Sequence, residues 1–330
     1  MKIGISGSGS IGKRHIKNAI TLGIEKQNIL VFEPREDRRN EAKLLGVKLF
    51  DNFEEFSKQE FEGAIIASPT SLHAEQSIIL AKNNKNLLIE KPIDSDIQKC
   101  NLLKEIITDM KLNCLVGYCF RFAEYSVKLK ELIKNKVVGQ PFHIRGEFSE
   151  YLPDWHPYED YRSFYMAKKS QGGGALLDES HGIDLVRYLF GEVKSVFAKV
   201  GNYSDLEISS DDNAYLTVIF KDKIIGHLNF DLVARSPRVF LEINGSEGII
   251  IWDRVDHKIK IYRVKQNKWK TLSFIKTDFL KMYSNQARHF VNCLKGKEKE
   301  IINIKDAIKT QKIIDNSFKS SKKNKLININ

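Results

Sequence analysis

The sequence predicts an α/β chain in two parts, a doubly wound domain over residues 1–120 and a second α/β domain over 121–330. Three observations predict it. Short apolar runs alternate with longer amphipathic stretches as far as Tyr118, the first run leads directly into a glycine pattern that opens a helix, and after Arg121 the rhythm changes to strands joined by short turns. At 330 residues the chain exceeds the usual domain size of roughly 100–200 residues, so two separate cores are expected.

In the first part, residues 3–6, 29–32, 64–67, 87–90 and 115–118 read as strands, because short apolar runs bounded by turn residues fit strands buried on both faces. Helical patterns lie between them, beginning at 12–22. Such alternation implies right-handed crossovers and a parallel sheet. In the second part a helix over 124–135 leads through Gly139-Gln140-Pro141 into strand-like runs at 142–148, 193–200, 214–220, 224–232, 239–243, 249–252 and 259–264. Turns as short as Lys221-Asp222-Lys223 and Asn244-Gly245-Ser246 predict antiparallel pairing. Helices near 278–294 and 305–317 close the chain.

Hydrophobic residues at 42% and charged residues at 29% mark an ordinary globular protein rather than a disordered or fibrous one. Lys plus Arg exceed Asp plus Glu by 53 to 42, yet the basic residues are interleaved with acids, as at Lys130, Glu131 and Lys134. Nucleic acid and membranes are therefore not expected partners. The dense basic run 319–325 reads as a frayed polar tail. Cys100, Cys114, Cys119 and Cys293 lack the spacing of a zinc or redox motif, and no apolar run approaches the roughly 20 residues that span a bilayer. Reduced thiols and a cytoplasmic location are the expectation.

Gly7-Ser8-Gly9-Ser10-Ile11-Gly12 stands between the first strand and the first helix, the context in which this pattern binds a dinucleotide. Gly7 permits the tight turn, Gly9 lets backbone amides approach a pyrophosphate, and Gly12 allows close helix–strand packing. Free amides at the helix start then face the phosphates. Glu33 ends the second strand about 20 residues further on, where a carboxylate accepts from the adenosine ribose. Because that carboxylate repels a 2′-phosphate, NAD is expected rather than NADP, with Arg35 as the neighbour that weakens the preference.

Glu90-Lys91-Pro92 closes the strand at 87–90, and ligands sit at the carboxyl edge of open parallel sheets. Lys91 there can hydrogen-bond a substrate hydroxyl or stabilise developing alkoxide charge. The glycine pattern, Ser68-Pro69-Thr70 with His73, and Glu90-Lys91-Pro92 together resemble the glucose–fructose oxidoreductase/inositol dehydrogenase/rhizopine catabolism family. The resemblance continues through Gly117-Tyr118-Cys119-Phe120-Arg121-Phe122 and Gly172-Gly173-Gly174-Ala175-Leu176-Leu177-Asp178 with His181 and Asp184. It implies an NAD-binding Rossmann domain, a carboxy-terminal α/β domain with a large open sheet, and assembly as a homodimer or homotetramer. It also implies that Ser68, Pro69, Thr70, His73, Glu90 and Lys91 border the cofactor, and that Lys91 and His181 serve hydride transfer.

Local chemistry agrees for His181. If 176–190 is one helix, Asp178, His181 and Asp184 recur on one face, and an imidazole beside carboxylates can accept a hydroxyl proton. Alternatives stay open: a structural histidine, Asp178 as a helix cap, or a metal held by the three residues. Family members often separate the aspartate and histidine by three residues, whereas here only Glu179 and Ser180 intervene, which leaves the role of Asp178 between catalysis and structure. Candidate substrate contacts are Lys91, Tyr118, Tyr151, Trp155, Asp178 and His181, with Arg121 and Arg162 for an anionic group. The expected activity is an NAD-dependent dehydrogenase or reductase acting on a secondary hydroxyl of a sugar, cyclitol or sugar derivative, as in surface-polysaccharide metabolism. A glycosidase that oxidises transiently and a nucleotide-sensing protein are the alternatives.

Overall fold

A computed structural model describes residues 1–157, 159–275 and 278–329, and within it the backbone but not the side chains of Asp278 and Phe279. The chain forms two compact units, one of residues 1–118 with 283–309 and the other of 119–282 with 310–330.

In the first unit the elements run β1 (Ile3–Ser6), α1 (Ser10–Thr21), β2 (Ile29–Phe32), α2 (Glu36–Lys43), β3 (Lys48–Phe50), α3 (Phe53–Ser57), β4 (Gly63–Ile66), α4 (His73–Lys82), β5 (Asn86–Ile89), α5 (Ile97–Asp109) and β6 (Cys114–Val116). Every strand pairs in parallel, in the order β3-β2-β1-β4-β5-β6. That order reverses direction between β1 and β4, the crevice where doubly wound sheets bind dinucleotides. β1, β2 and β4 are buried along their whole length, which is why consecutive apolar residues betray them.

The second unit begins with α6 (Glu124–Lys134) and the long strand β7 (Pro141–Tyr151), then α7 (Ala175–Asp178) and α8 (His181–Phe190). There follow β8 (Val193–Gly201), β9 (Asn213–Phe220), β10 (Ile225–Asp231), β11 (Val233–Gly245), β12 (Gly248–Asp253), β13 (Lys258–Arg263), β14 (Lys268–Ser273), α9 (Asp278–Leu294), α10 (Ile304–Lys323) and β15 (Ile327–Asn328). Among the described residues nine strands form one sheet, β14-β13-β12-β11-β7-β10-β9-β8-β15, antiparallel except for the β7–β10 pair. Phe148 and Phe230 face α8, where a Cβ on Gly182 would fall 2.6 and 2.7 Å from them. By the two-residue period of a strand, Glu147 and Asn229 face the opposite side.

Three expectations are corrected. A contiguous second domain fails because 283–309 packs with the first unit: Phe290 and Leu294 close over Gly63, and the Val116 amide donates to Ile302 O at 2.9 Å. The basic run 319–325 is not frayed, since α10 reaches Lys323 and Ser320 and Ser321 hydroxyls accept from the amides of Ala198 and Val200 at 3.0 and 2.9 Å. The helix expected over 176–190 is broken at Glu179-Ser180, so Asp178 ends one helix and His181 begins the next.

Candidate nucleotide and catalytic sites

In the first unit the glycine turn is as tight as its sequence demands. Gly7 has φ +94°, and a Cβ on it would lie 2.5 Å from Ala67 O; a Cβ on Gly12 would lie 2.1 Å from Gly7 O. At Gly9 the nearest such neighbour is the Arg38 guanidinium at 3.3 Å, so the backbone there stays open. Ser10 and Ile11 follow at the exposed start of α1. A pyrophosphate fits this cradle of small residues and free helix-start amides.

Glu33 is buried at the end of β2 and holds the turn itself. One carboxylate oxygen accepts from the Ser8 amide at 2.7 Å and the Ser8 hydroxyl at 3.0 Å, and the other accepts from the Arg35 amide at 3.1 Å. A carboxylate offers about four acceptor positions, which leaves room for a ribose hydroxyl.

Ser68 and Pro69 end the loop after β4, and Thr70 is buried. The Ser6 and Ser68 hydroxyls both donate to Gln76 Oε1, at 2.7 and 2.8 Å. His73 is also buried, its ring spanning Pro92 O at 2.9 Å and Ser68 O at 2.8 Å. It ties the β4 loop to the Glu90-Lys91-Pro92 motif. Glu90 likewise points inward. Burial alone would raise its carboxyl, but the 2.7 Å bond to His15 Nε2 and the nearby charges of His15, Lys91 and His73 hold it below its ordinary value. Lys91 remains half-buried at the sheet's carboxyl edge.

In the second unit, Asp178 is buried and accepts from the Tyr165 hydroxyl at 2.9 Å. The half-buried His181 ring stacks on Phe120, centroids 4.6 Å apart and planes 13° from parallel. The glycine run before them is fixed from a distance: Asp211 accepts from the Leu176 amide at 3.0 Å, and its carboxyl fills the place a Cβ on Gly174 would take. Neither Phe120, Tyr165, Asp211 nor His15 was singled out from sequence, because each acts through a partner far along the chain.

Several candidate substrate contacts are corrected. Arg121 is buried and bidentate on Asp184, donating from Nε at 2.8 Å and Nη2 at 2.6 Å; Thr310 adds a bond of 3.1 Å to the same carboxylate. That pair takes Asp184 out of any metal set with Asp178 and His181. Arg162 is exposed and ion-paired with Asp160 and Glu207. Tyr118 is fully buried and has no surface to offer a substrate. Tyr151 lies under the Arg235 guanidinium, 3.9 Å from its ring, while Trp155 is half-buried. Tyr158, in the same aromatic segment, lies outside the described residues.

A Rossmann sheet with this glycine cradle, joined to a large mixed sheet carrying a histidine and aspartate, defines a nucleotide-dependent oxidoreductase. Residues 1–118 match the oxidoreductase family NAD-binding Rossmann fold and residues 126–251 match the GFO/IDH/MocA C-terminal domain. The chain belongs to the Gfo/Idh/MocA family of oxidoreductases, and its residues 1–118 are that family's NAD-binding Rossmann fold. It is 26% identical over 317 residues to scyllo-inositol 2-dehydrogenase (NAD(+)) of Bacillus subtilis, covering 93% of this chain and 90% of that one. Myo-inositol 2-dehydrogenase of Thermotoga maritima is 28% identical over 324 residues, covering 93% and 92%. A solved levoglucosan dehydrogenase, in complex with NADH and levoglucosan, shares the fold at TM-score 0.87 and 19% identity, covering 100% of this chain and 99% of that one. Among the described residues no helix is long and apolar enough to cross a membrane.

Proposed function

We propose that this chain is an NAD-dependent dehydrogenase acting on a secondary hydroxyl of an uncharged sugar or cyclitol. The observation that carries the reading is the joint presence of the glycine cradle, Lys91 at the sheet's carboxyl edge and the Asp178–His181 pair within a chain of this family. NAD, when bound, supplies the hydride acceptor. Gly7, Gly9, Ser10, Ile11 and Gly12 would hold its pyrophosphate, and Glu33 its ribose. The Lys91 ammonium donates to the substrate oxygen and stabilises it as it becomes alkoxide-like, while the His181 imidazole takes the hydroxyl proton. Asp178, steadied by Tyr165, orients the hydroxyls. An uncharged substrate is favoured because Arg121 and Arg162, the two arginines offered for an anion, are both engaged by carboxylates.

The location we propose is the cytoplasm, in keeping with the four free cysteines, all buried. Assembly as a homodimer or homotetramer would use the open face of the nine-stranded sheet. A groove of about 460 Å³ lies there, bordered by Arg145, Phe197, Tyr215, His227, Arg238 and Phe240, on the side facing away from α8.

The test incubates the chain with stoichiometric NAD and scyllo-inositol, myo-inositol, levoglucosan and simple hexoses in turn, following reduced nicotinamide by absorbance. Net NADH with at least one of them is expected. Release of sugar from a glycoside without NADH would establish transient oxidation instead, and NAD binding with no turnover of any kind would make the chain a sensor.

A further inference from the structure

The ring beneath His181 is not a loose cover. Phe120 is 5% exposed and is met edge-on by Tyr125 and Trp252, with centroids 6.3 and 6.4 Å away and planes at 79° and 81°. Those two rings are themselves stacked, 4.7 Å apart at 25°, and buried. On the other side Gly182 seats the start of α8 against Phe148 and Phe230 with no room for a Cβ. The imidazole and the phenyl face it lies on are thus both anchored in the core of the sheet.

Packing alone would be served by any apolar side chain of similar volume. A nearly parallel aromatic face does two further things. It restricts the imidazole to one plane, and its negative π cloud attracts a cation lying over it. The cation in question is the imidazolium that forms once the ring has taken a proton. We propose that Phe120 is a positioning residue for the reaction, fixing the plane of the His181 imidazole and stabilising its protonated form. This rests on the reading of His181 as the proton acceptor.

Nearby carboxylates also favour the imidazolium, and they are common to the parent and to every Phe120 variant. Burial pushes the Tyr125 phenol up, so it is neutral. Among the described residues the charged and titratable groups on the elements packed here include Asp178 and Glu179 at the end of α7, Asp184 of α8 with Arg121 and Arg187, Cys119 beside Phe120, and Arg254 with Glu150 near Tyr125. Replacing Phe120 removes none of them.

The experiment is a proton titration of the full chain, without cofactor, by NMR of labelled histidine, with the His181 signal identified by its loss in His181→Asn. Phe120→Leu removes the aromatic face but keeps an apolar side chain; Phe120→Tyr keeps the face. The titration midpoint should fall by about half a unit to one unit in Phe120→Leu and stay at the parent value in Phe120→Tyr. With NAD and whichever of scyllo-inositol, myo-inositol, levoglucosan and the hexoses the parent turns over, kcat should fall about 10-fold in the leucine variant with KM within about twofold. Thermal melting verifies the fold, and Phe120→Met replaces the leucine variant if that one does not fold. A leucine variant titrating like the parent, or a tyrosine variant shifting as far as leucine, overturns the proposal. Full turnover in His181→Asn would instead overturn the catalytic reading, which the titration of Phe120 variants does not depend on.

Discussion

The two units hold their candidate sites by different means. In the first, the main chain does most of the work: the Gly7 amide donates to Phe32 O at 2.8 Å, Glu33 takes the Ser8 amide, and His73 spans the carbonyls of Ser68 and Pro92. In the second, side chains from distant segments meet: Phe120 under His181, Arg121 on Asp184, Tyr165 on Asp178. A site shaped by backbone tolerates no added atom, whereas one shaped by paired side chains is sensitive to charge and to the loss of a partner.

The largest effect is expected from Arg121→Leu. Removing one partner of a buried ion pair leaves the other charged and uncompensated, at a cost of about 3–5 kcal/mol. Urea unfolding should show it, with Thr310 and Arg187 keeping the loss toward the lower end. A loss below about 1 kcal/mol would mean that the pair does not brace the second unit. In the first unit the counterpart is Gly12→Ala, where the new methyl meets Gly7 O. Overpacking of this kind costs about 1–3 kcal/mol, and calorimetry should show weakened NAD binding as the turn opens. Unchanged affinity and melting temperature would show that the turn has slack.

The second unit's dependence on side-chain charge extends to pH at Asp211. Burial, aided by the charge of Asp212, pushes its carboxyl up to about 6 against the backbone bond from Leu176. Between its ordinary value near 4 and that value, the folded chain binds more protons than the unfolded one, so this residue lowers stability as pH rises through the window and is level above it. In Asp211→Asn that part of the pH dependence should vanish, with the variant gaining on the parent from about pH 4 to 6 in thermal melts. Parallel curves would remove Asp211 from the account. The smallest effect is expected from Arg162→Ala. Its exposed pairs with Asp160 and Glu207 are screened by solvent and contribute little to stability. Neutral and carboxylated sugars should be discriminated as by the parent; a selective loss of the anionic sugar would restore Arg162 as an anion-binding residue.

The same difference in construction decides what could be read from sequence. Buried parallel strands are runs of consecutive apolar residues, and a glycine turn is written in adjacent positions, so β1, β2 and the nucleotide cradle were legible. β3 and β14 were not, because a short edge strand such as Lys268–Ser273 is mostly exposed and carries no apolar run. Periodicity marked α9 as a helix without saying that its last turns pack on Gly63. Arg121 and Arg162 looked like anion-binding residues because their carboxylate partners lie elsewhere in the chain, and Phe120 was visible only as one letter in a motif.

On the proposed reading Lys91 acts on the substrate of a hydride transfer and not on the fold or the nucleotide. Lys91→Ala, measured for turnover with the productive substrate and for NAD affinity by calorimetry, tests it most directly. Turnover should fall by about 10²–10⁴-fold, the range expected when general acid–base assistance is removed, with NAD affinity within about threefold of the parent. Near-normal turnover in a folded Lys91→Ala chain would remove Lys91 from the reaction.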